Sequence, residues 1–377
     1  MTDKLPYLAL KSIPGVGLVL FQRLLARFGQ PARVFQAKAG ELLAVKGVNQ
    51  DLAQDLLAFR DWDRVEAEFA KMSAARIEML LPDDPRFPAR LKKIPYPPAF
   101  LFLKGTLLPQ DDLALAVVGT RSASYYGLKT CRRLAGGLAA RGVTVVSELA
   151  RGIDTAAHQE ALETGGRTLA VLGCGLDVVY PPENLKLYGQ IPERGALISE
   201  FSLGTPPEAR NFPIRNRIIS GLALGVMVVE AGLKSGTGIT VRYALDQGRE
   251  VFAVPGPIDS PTSVGPHRLI QQGAKLVQDV EDIFQEFPGL AKGPGPLFGV
   301  PSRVSDTGGP TAAGTAAASP AAPEDPLLAL LGSDPLSMEE LLRATGLPAP
   351  QVLSRLTVLE LEGLIRELPG KRFVLEN

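Results

Sequence analysis

An excess of positive charge is missing from this sequence. Lysine and arginine total 40 and aspartate and glutamate total 40, so the net charge over 377 residues is zero. A protein that coats nucleic acid with its whole surface is excluded, and any polyanion site must be a local patch. Cysteine is scarce too. Cys131 and Cys174 lie in apolar stretches without metal-ligand spacing, which reads as two small core residues in a reducing cytoplasm. The two histidines, His158 and His267, belong to no His-Glu-x-x-His motif and no Cys/His cluster, so no metal site and no cofactor is expected. Aromatic residues make up 6%, leaving few rings for stacking. No run of 18 apolar residues occurs, so no membrane span is expected, and the first residues lack the apolar stretch of a signal peptide.

What is present points to a folded chain of several domains. Hydrophobic residues make up 45% and charged residues 21%, enough for a large core. Residues 1–80 show helical periodicity punctuated by Gly. Residues 81–287 alternate aliphatic runs with amphipathic stretches. Residues 288–324 are rich in Pro, Gly, Ala, Ser and Thr and read as a flexible linker. Residues 325–377 return to helical periodicity and end in a strand-like tail.

The central section carries the functional signal. Six runs, LALAVVGT, VTVVSE, TLAVLG, ALISEF, GVMVVEA and EVFAVPG, alternate with helical stretches. This pattern predicts a Rossmann-like, doubly wound α/β fold with a mostly parallel sheet. Its ligand site belongs at the carboxyl ends of the strands. Those ends read Gly119-Thr120-Arg121-Ser122, then Glu148 to Arg151-Gly152, then Arg210 to Arg217, then Lys234-Ser235-Gly236-Thr237. Arg121, Arg151, Arg210, Arg215, Arg217 and Lys234 thus gather at one rim, where they could hold phosphates. Gly119 and Gly152 would allow close approach. Glu148, Asp154, Glu200 and Glu230 lie at the same rim and could equally pair with the arginines. Arg215 and Arg217, two apart on a helix, cannot share a face. Phe212 precedes Pro213, which favours an extended backbone offering the ring to a base; an ordinary core phenylalanine is the alternative.

Catalytic signatures are absent. The first turn is not Gly-x-Gly-x-x-Gly, and residues 232–238 lack the Gly-Lys-Ser/Thr of a triphosphate loop. No Gly-x-Ser-x-Gly elbow occurs. A non-catalytic, phosphate-binding rim follows, with no catalytic residue.

The segments VVGTRSASYYG (117–127), SELARGIDTAAH (147–158), NFPIRNRIISGL (211–222), SGTGITVRYALDQGREVFAVPG (235–256) and HRLIQQGAKLV (267–277), with DPRFPARLKKIPYPPAFLFLKG (84–105) upstream, resemble the DNA-processing protein A (DprA/Smf) family of bacterial natural transformation. The resemblance implies single-stranded DNA held in a basic pocket at the strand ends. It also implies a homodimer, loading of RecA recombinase onto incoming strands, and displacement of single-strand binding protein. By position it assigns a phosphate to Arg121, strand contacts to Phe212 and Arg215 with Asn216 and Arg217 nearby, and closure of the pocket to Lys234 and Ser235-Gly236-Thr237. Leu245, His267, Ile270 and Leu276 would fall on the dimer or partner surface. Pro182 stands where some relatives carry a basic residue, which puts one DNA contact in doubt, with Arg210 or Lys186 as substitutes.

The flanks are less specific. Ile13-Pro14-Gly15-Val16-Gly17 and Val45-Lys46-Gly47-Val48-Asn49 resemble helix–hairpin–helix turns, the second weakened by Asn49. They read as phosphate-binding turns or as a small packing domain. The C-terminal section resembles a winged helix, with Ser337 and Glu340 as a capping box and Gly346 as a helix stop. Its eight acidic against five basic residues favour a protein contact over DNA reading. Two rivals remain: a nucleotide phosphoribohydrolase with Glu230 as its acid, and a pure adaptor.

Overall fold

All six aliphatic runs of the central section become strands. The computed structural model describes residues 4–233, 235–287, 326–331, 335–347, 349–361, 364–368 and 370–375. Lys234 and the expected linker at 288–324 lie outside the described residues. The chain divides into two compact units. One holds the N-terminal helices and a nine-stranded sheet; the other holds a three-stranded sheet with its helices.

The first unit opens with α1 (Leu5–Ser12), α2 (Leu18–Phe28), α3 (Pro31–Val34), α4 (Ala39–Leu43), α5 (Gln50–Ala58) and α6 (Trp62–Ala74). The two hairpin turns fall between α1 and α2 and between α4 and α5. They are neighbours in space, because Arg23 Nη1 on α2 donates to the Lys46 carbonyl at 2.8 Å. Asn49 is a helix cap: its Oδ1 accepts from Leu52 N–H at 2.9 Å, satisfying a donor the first turn leaves open. Leu8, Phe21, Leu24, Leu56 and Met72 share one core with Phe100, Phe102 and Leu197, so these helices are packed onto the sheet.

The sheet is built from β1 (Glu78–Leu80), β2 (Leu101–Gly105), β3 (Ala114–Val118), β4 (Thr144–Ser147), β5 (Thr168–Leu172), β6 (Gly195–Ser199), β7 (Gly225–Val228), β8 (Glu250–Ala253) and β9 (Lys275–Leu276). Their order is β1-β2-β6-β5-β4-β3-β7-β8-β9. The six strands expected from sequence, β3 to β8, pair in parallel. β2 joins β6 antiparallel, β1 joins β2 antiparallel, and β9 extends the far edge in parallel. The connecting helices are α7 (Tyr125–Ala140), α8 (Ile153–Glu163), α9 (Leu185–Arg194), α10 (Asn211–Leu222), α11 (Thr237–Asp246), α12 (Val264–Gln271) and α13 (Val280–Gln285). Every residue of β3 to β7 is buried. Alternate residues of β5 feed separate cores, Leu169 and Val171 on one side, Ala170 and Leu172 on the other. Burial on both faces is why these strands read as unbroken apolar runs. From β3 the chain steps to β4 in one direction, and β7 lies on the other side. This reversal opens a crevice above the carboxyl ends of β3 and β7.

The second unit contains α14 (Pro326–Leu330), β10 (Leu336–Ser337), α15 (Met338–Thr345), α16 (Ala349–Leu361), β11 (Ile365–Leu368) and β12 (Arg372–Leu375). Ser337 Oγ accepts from Glu340 N–H at 3.3 Å and Glu340 Oε2 accepts from Ser337 N–H at 2.8 Å. Gly346 ends α15 in the left-handed region at φ 64°. Leu341, Val352, Leu356, Ile365 and Phe373 form its core, and β11 and β12 are the antiparallel wing.

Candidate nucleic-acid interface

A cavity of about 610 Å³ opens at the crevice. Gly119, Thr120 and Arg121 line it from the loop after β3, Glu148 and Ala150 from the loop after β4, and Asp154 from the first turn of α8. Phe212, Pro213 and Asn216 come from α10, and Gly232, Ser235, Gly236 and Thr237 from the loop after β7. Seven sequence-predicted residues, Gly119, Arg121, Phe212, Asn216, Ser235, Gly236 and Thr237, therefore meet at one cavity. Ser122, Arg151, Gly152, Arg210, Arg215 and Arg217 do not line it.

The Phe212 backbone differs from the extended form that Pro213 predicts. Both residues lie in the first turn of α10, where the N–H that proline lacks has no helical acceptor to lose. The ring still reaches the cavity. It is half-buried, lies 6.0 Å from the Tyr180 ring, and receives Arg121 at 5.6 Å and Arg215 at 5.7 Å from its centroid. The two glycines read as openings for phosphate are also required by the packing of the protein itself. A Cβ on Gly152 would stand 2.4 Å from the Thr120 carbonyl oxygen, and one on Gly119 would stand 2.5 Å from Ile153. Their bareness lets the loops after β3 and β4 cross.

The six cations do not all stand free, and this corrects the expectation of a continuous basic rim. Arg215 is 2% exposed and gives Nη2 to Glu148 Oε2 at 2.7 Å, Nε to Asn216 Oδ1 at 3.0 Å and Nη1 to the Val171 carbonyl. Arg217 is 3% exposed and grips both Glu200 oxygens, at 2.9 and 2.8 Å, with Nε on the Tyr96 carbonyl. Facing opposite partners, they occupy different sides of α10. Arg151 pairs with Glu183 at 2.6 Å and Arg210 with Glu208 at 2.5 Å, but these four side chains are exposed. An exposed pair is screened by water and adds little stability, so either arginine can exchange its partner for a phosphate. A buried pair cannot, since stripping one partner costs roughly 3–5 kcal/mol. Arg121 is exposed and carries no ion pair among the described residues.

The cavity floor is acidic, formed by two of the carboxylates that the sequence places at this rim, Glu148 and Asp154. Asp154 is 2% exposed, in the first turn of α8, and its Oδ2 accepts from Glu148 N–H and Ala150 N–H, both at 3.3 Å. Burial, then the Glu148 charge, push its carboxyl up to about 8, against the pull of Arg215. Between them Leu149 takes the left-handed region at φ 58° with its side chain fully buried, and Asn184 Nδ2 donates to its carbonyl at 2.9 Å. On the other wall Ser235 Oγ accepts from Thr237 N–H at 3.1 Å at the start of α11.

The remaining candidates fall elsewhere. Glu230 is buried, accepts from Thr262 Oγ1 at 3.0 Å and does not line the cavity, where a phosphoribohydrolase acid would stand. His158 is fully buried with Nδ1 on Thr168 Oγ1 at 2.6 Å. His267 is half-buried, its Nε2 lying 3.0 Å from the Gly256 carbonyl oxygen. Leu245 and Leu276 are exposed and Ile270 is half-buried. Pro182 is exposed beside Glu183. Among the described residues no group of three or more His, Cys, Asp or Glu could hold a metal, and no helix is long and apolar enough to cross a membrane.

Comparison with known proteins gives the same organisation. Residues 78–288 match the model of DNA recombination-mediator protein A, 311–371 the DprA winged helix domain, and 7–60 the SAM-like helix-hairpin-helix tandem. Protein Smf of Escherichia coli is 44% identical over 298 residues, 77% of this chain and 76% of that one. Protein Smf of Synechocystis is 33% identical over 387 residues, 97% of each chain. The X-ray structure of DNA processing protein A from Streptococcus pneumoniae is 36% identical with a TM-score of 0.67, covering 75% of this chain and 97% of that one. DNA processing protein A from Helicobacter pylori, whose structure describes a single-stranded DNA binding mode, is 27% identical with a TM-score of 0.51, covering 57% and 96%. A helix–hairpin–helix tandem, a mostly parallel α/β sheet and a winged helix, matched in that order, make this chain a member of the DNA-processing protein A (DprA/Smf) family.

Proposed function

We propose that the chain binds single-stranded DNA at the crevice, handles incoming strands in natural transformation and loads RecA recombinase onto them without breaking bonds. The observation that carries the binding step is the Phe212 ring, half-exposed at the cavity and flanked by Arg121. An aromatic face gives a contact that tolerates any base. Arg121, the releasable Arg151 and Arg210, and the Ser235-Gly236-Thr237 turn at the start of α11 supply phosphate contacts around it. The single-stranded DNA binding of the Helicobacter pylori relative supports the same reading. Displacement of single-strand binding protein and a homodimer through the Leu245, Ile270 and Leu276 face complete it, in a cytoplasmic setting.

Fluorescence anisotropy with matched single- and double-stranded oligonucleotides across a salt series tests the binding step. Preference for the single strand is expected. Equal affinity for both forms would sink the reading. Incubation with nucleoside monophosphates should release no free base.

A further inference from the structure

We propose that the opposite edge of the sheet, at the amino ends of its strands, carries a separate phosphate site built by Arg90 and Arg249, with Lys92 and Lys93 beside it. Its phosphate comes from the backbone of a second DNA segment or from the free ion. The strands β3, β7 and β8 are neighbours. Gly225 at the start of β7 pairs with Leu115 of β3 and with Glu250 of β8, and Arg249 directly precedes Glu250. Arg90 precedes the single turn Leu91–Lys93. It gives Nη1 to the Asp112 carbonyl at 2.9 Å and to the Leu222 carbonyl at 3.4 Å, just ahead of β3 and β7. Both arginines therefore stand where three adjacent strands begin. Strands of four or five residues put this edge roughly 15 Å from the crevice.

The charge here is left over. Arg249 is half-buried, and its Nε is buried with no hydrogen-bond partner. Arg90 is half-buried too, and the two carbonyls hold it without neutralising it. Neither arginine has an ion pair among the described residues. Burial, then the charge of Arg90, push the Arg249 guanidinium down from its ordinary value, and no carboxylate opposes them, although the exposed Asp246 and Glu250 are close in sequence. Burial pushes Arg90 down as well, against the pull of Asp112. Two half-buried like charges destabilise the fold until an anion joins them. A water can accept from Nε but leaves both charges standing. A phosphate oxygen accepts and neutralises at once. Lys92, over the Phe87 ring at 5.8 Å, and Lys93 are exposed alongside, placed to meet the flanking phosphates of a chain.

Two measurements on the full chain test this. Arg249→Met keeps the length of the stem and removes the charge, so in phosphate-free buffer it should be at least as stable as the parent. Inorganic phosphate, against chloride at equal ionic strength, should raise the parent's thermal midpoint by about 2–4 °C more than the variant's. Arg249→Gln serves if the methionine variant does not fold. In the second measurement the protein saturates bead-bound oligothymidylate and is offered a labelled second strand. All variants should occupy the first strand alike. Arg249→Met, and Lys92→Ala combined with Lys93→Ala, should each retain at least roughly threefold less of the second strand. The double lysine variant should keep the full response to inorganic phosphate. A phosphate response that depends on Arg249, with second-strand retention unchanged in every variant, assigns the site to the free ion. Equal midpoint shifts together with equal retention mean an ordered water only and overturn the proposal. So does a large loss of stability in the phosphate-free Arg249 variants, which makes the residue structural. The thermal measurement needs nothing bound at the crevice, so it stands or falls apart from the single-strand reading.

Discussion

Arg121 and Arg215 approach the same aromatic ring at almost the same distance, yet their charges do different work. Arg121 is exposed and available, whereas Arg215 is spent on Glu148 inside the protein. Arg121→Ala should leave stability unchanged, weaken single-strand binding and lower the log–log salt slope by about 0.7, the share of one released counterion on single strands. Arg215→Ala should instead leave the half-buried Glu148 carboxylate without its buried partner and lower unfolding stability, by at most roughly 3–5 kcal/mol, seen in thermal or urea unfolding without DNA. If the Arg215 variant unfolds like the parent and only its salt slope changes, the assignment reverses. The identities of both arginines are plain in the sequence, but their roles are not. Role depends on which loop carboxylate each meets, and Glu148 lies 67 residues away from Arg215.

Two buried groups set opposite pH limbs. His158 is pushed down from 6.5 to about 3 by burial. The folded chain refuses a proton that the unfolded chain takes, so its stability falls as pH drops from 6.5 toward 3. Asp154 is raised from 3.8 to about 8. The folded chain holds a proton that the unfolded chain has lost, so stability falls as pH rises through that window and levels above it. Midpoints of thermal unfolding against pH should therefore show Asp154→Asn losing the decline toward pH 8 and His158→Gln losing the decline toward acid. An Asp154→Asn profile that parallels the parent would count against the raised carboxyl.

At the scale of elements, turn and cap chemistry was legible where it is local. The Ser337–Glu340 box and the Gly346 stop form as the spacing demands, and all six aliphatic runs became strands because burial on both faces leaves no polar alternation to misread. Two local rules gave way to context. Pro213 sits inside the first turn of α10 and does not extend Phe212. Asn49, which departs from the hairpin pattern, caps α5. The short edge strands β1 and β9, of three and two residues, carry too little pattern to be seen without their partners. Asn49→Ala should cost about 1 kcal/mol and Asn49→Gly only a few tenths. Equal losses in chemical unfolding would mean that the side-chain bond to Leu52 carries no stability.

For the whole molecule, the question is what each unit contributes. Every residue lining the crevice lies between positions 119 and 239, inside the unit that holds the nine-stranded sheet and its cores. The C-terminal section carries eight acidic and five basic residues, a balance unfavourable for a polyanion. Removing residues 325–377 should therefore leave the single-strand dissociation constant within about twofold and the salt slope unchanged. A shallower slope in the shortened chain would assign phosphate contacts to the winged helix. The proposed homodimer is tested separately at Leu245, which is 63% exposed on α11. Leu245→Glu should convert a dimer to a monomer in sedimentation velocity without altering the salt slope of either species. A chain that sediments as a monomer before the substitution, or as an unchanged dimer after it, would remove Leu245 from the interface and leave the crevice as the site that the rest of the fold is arranged to present.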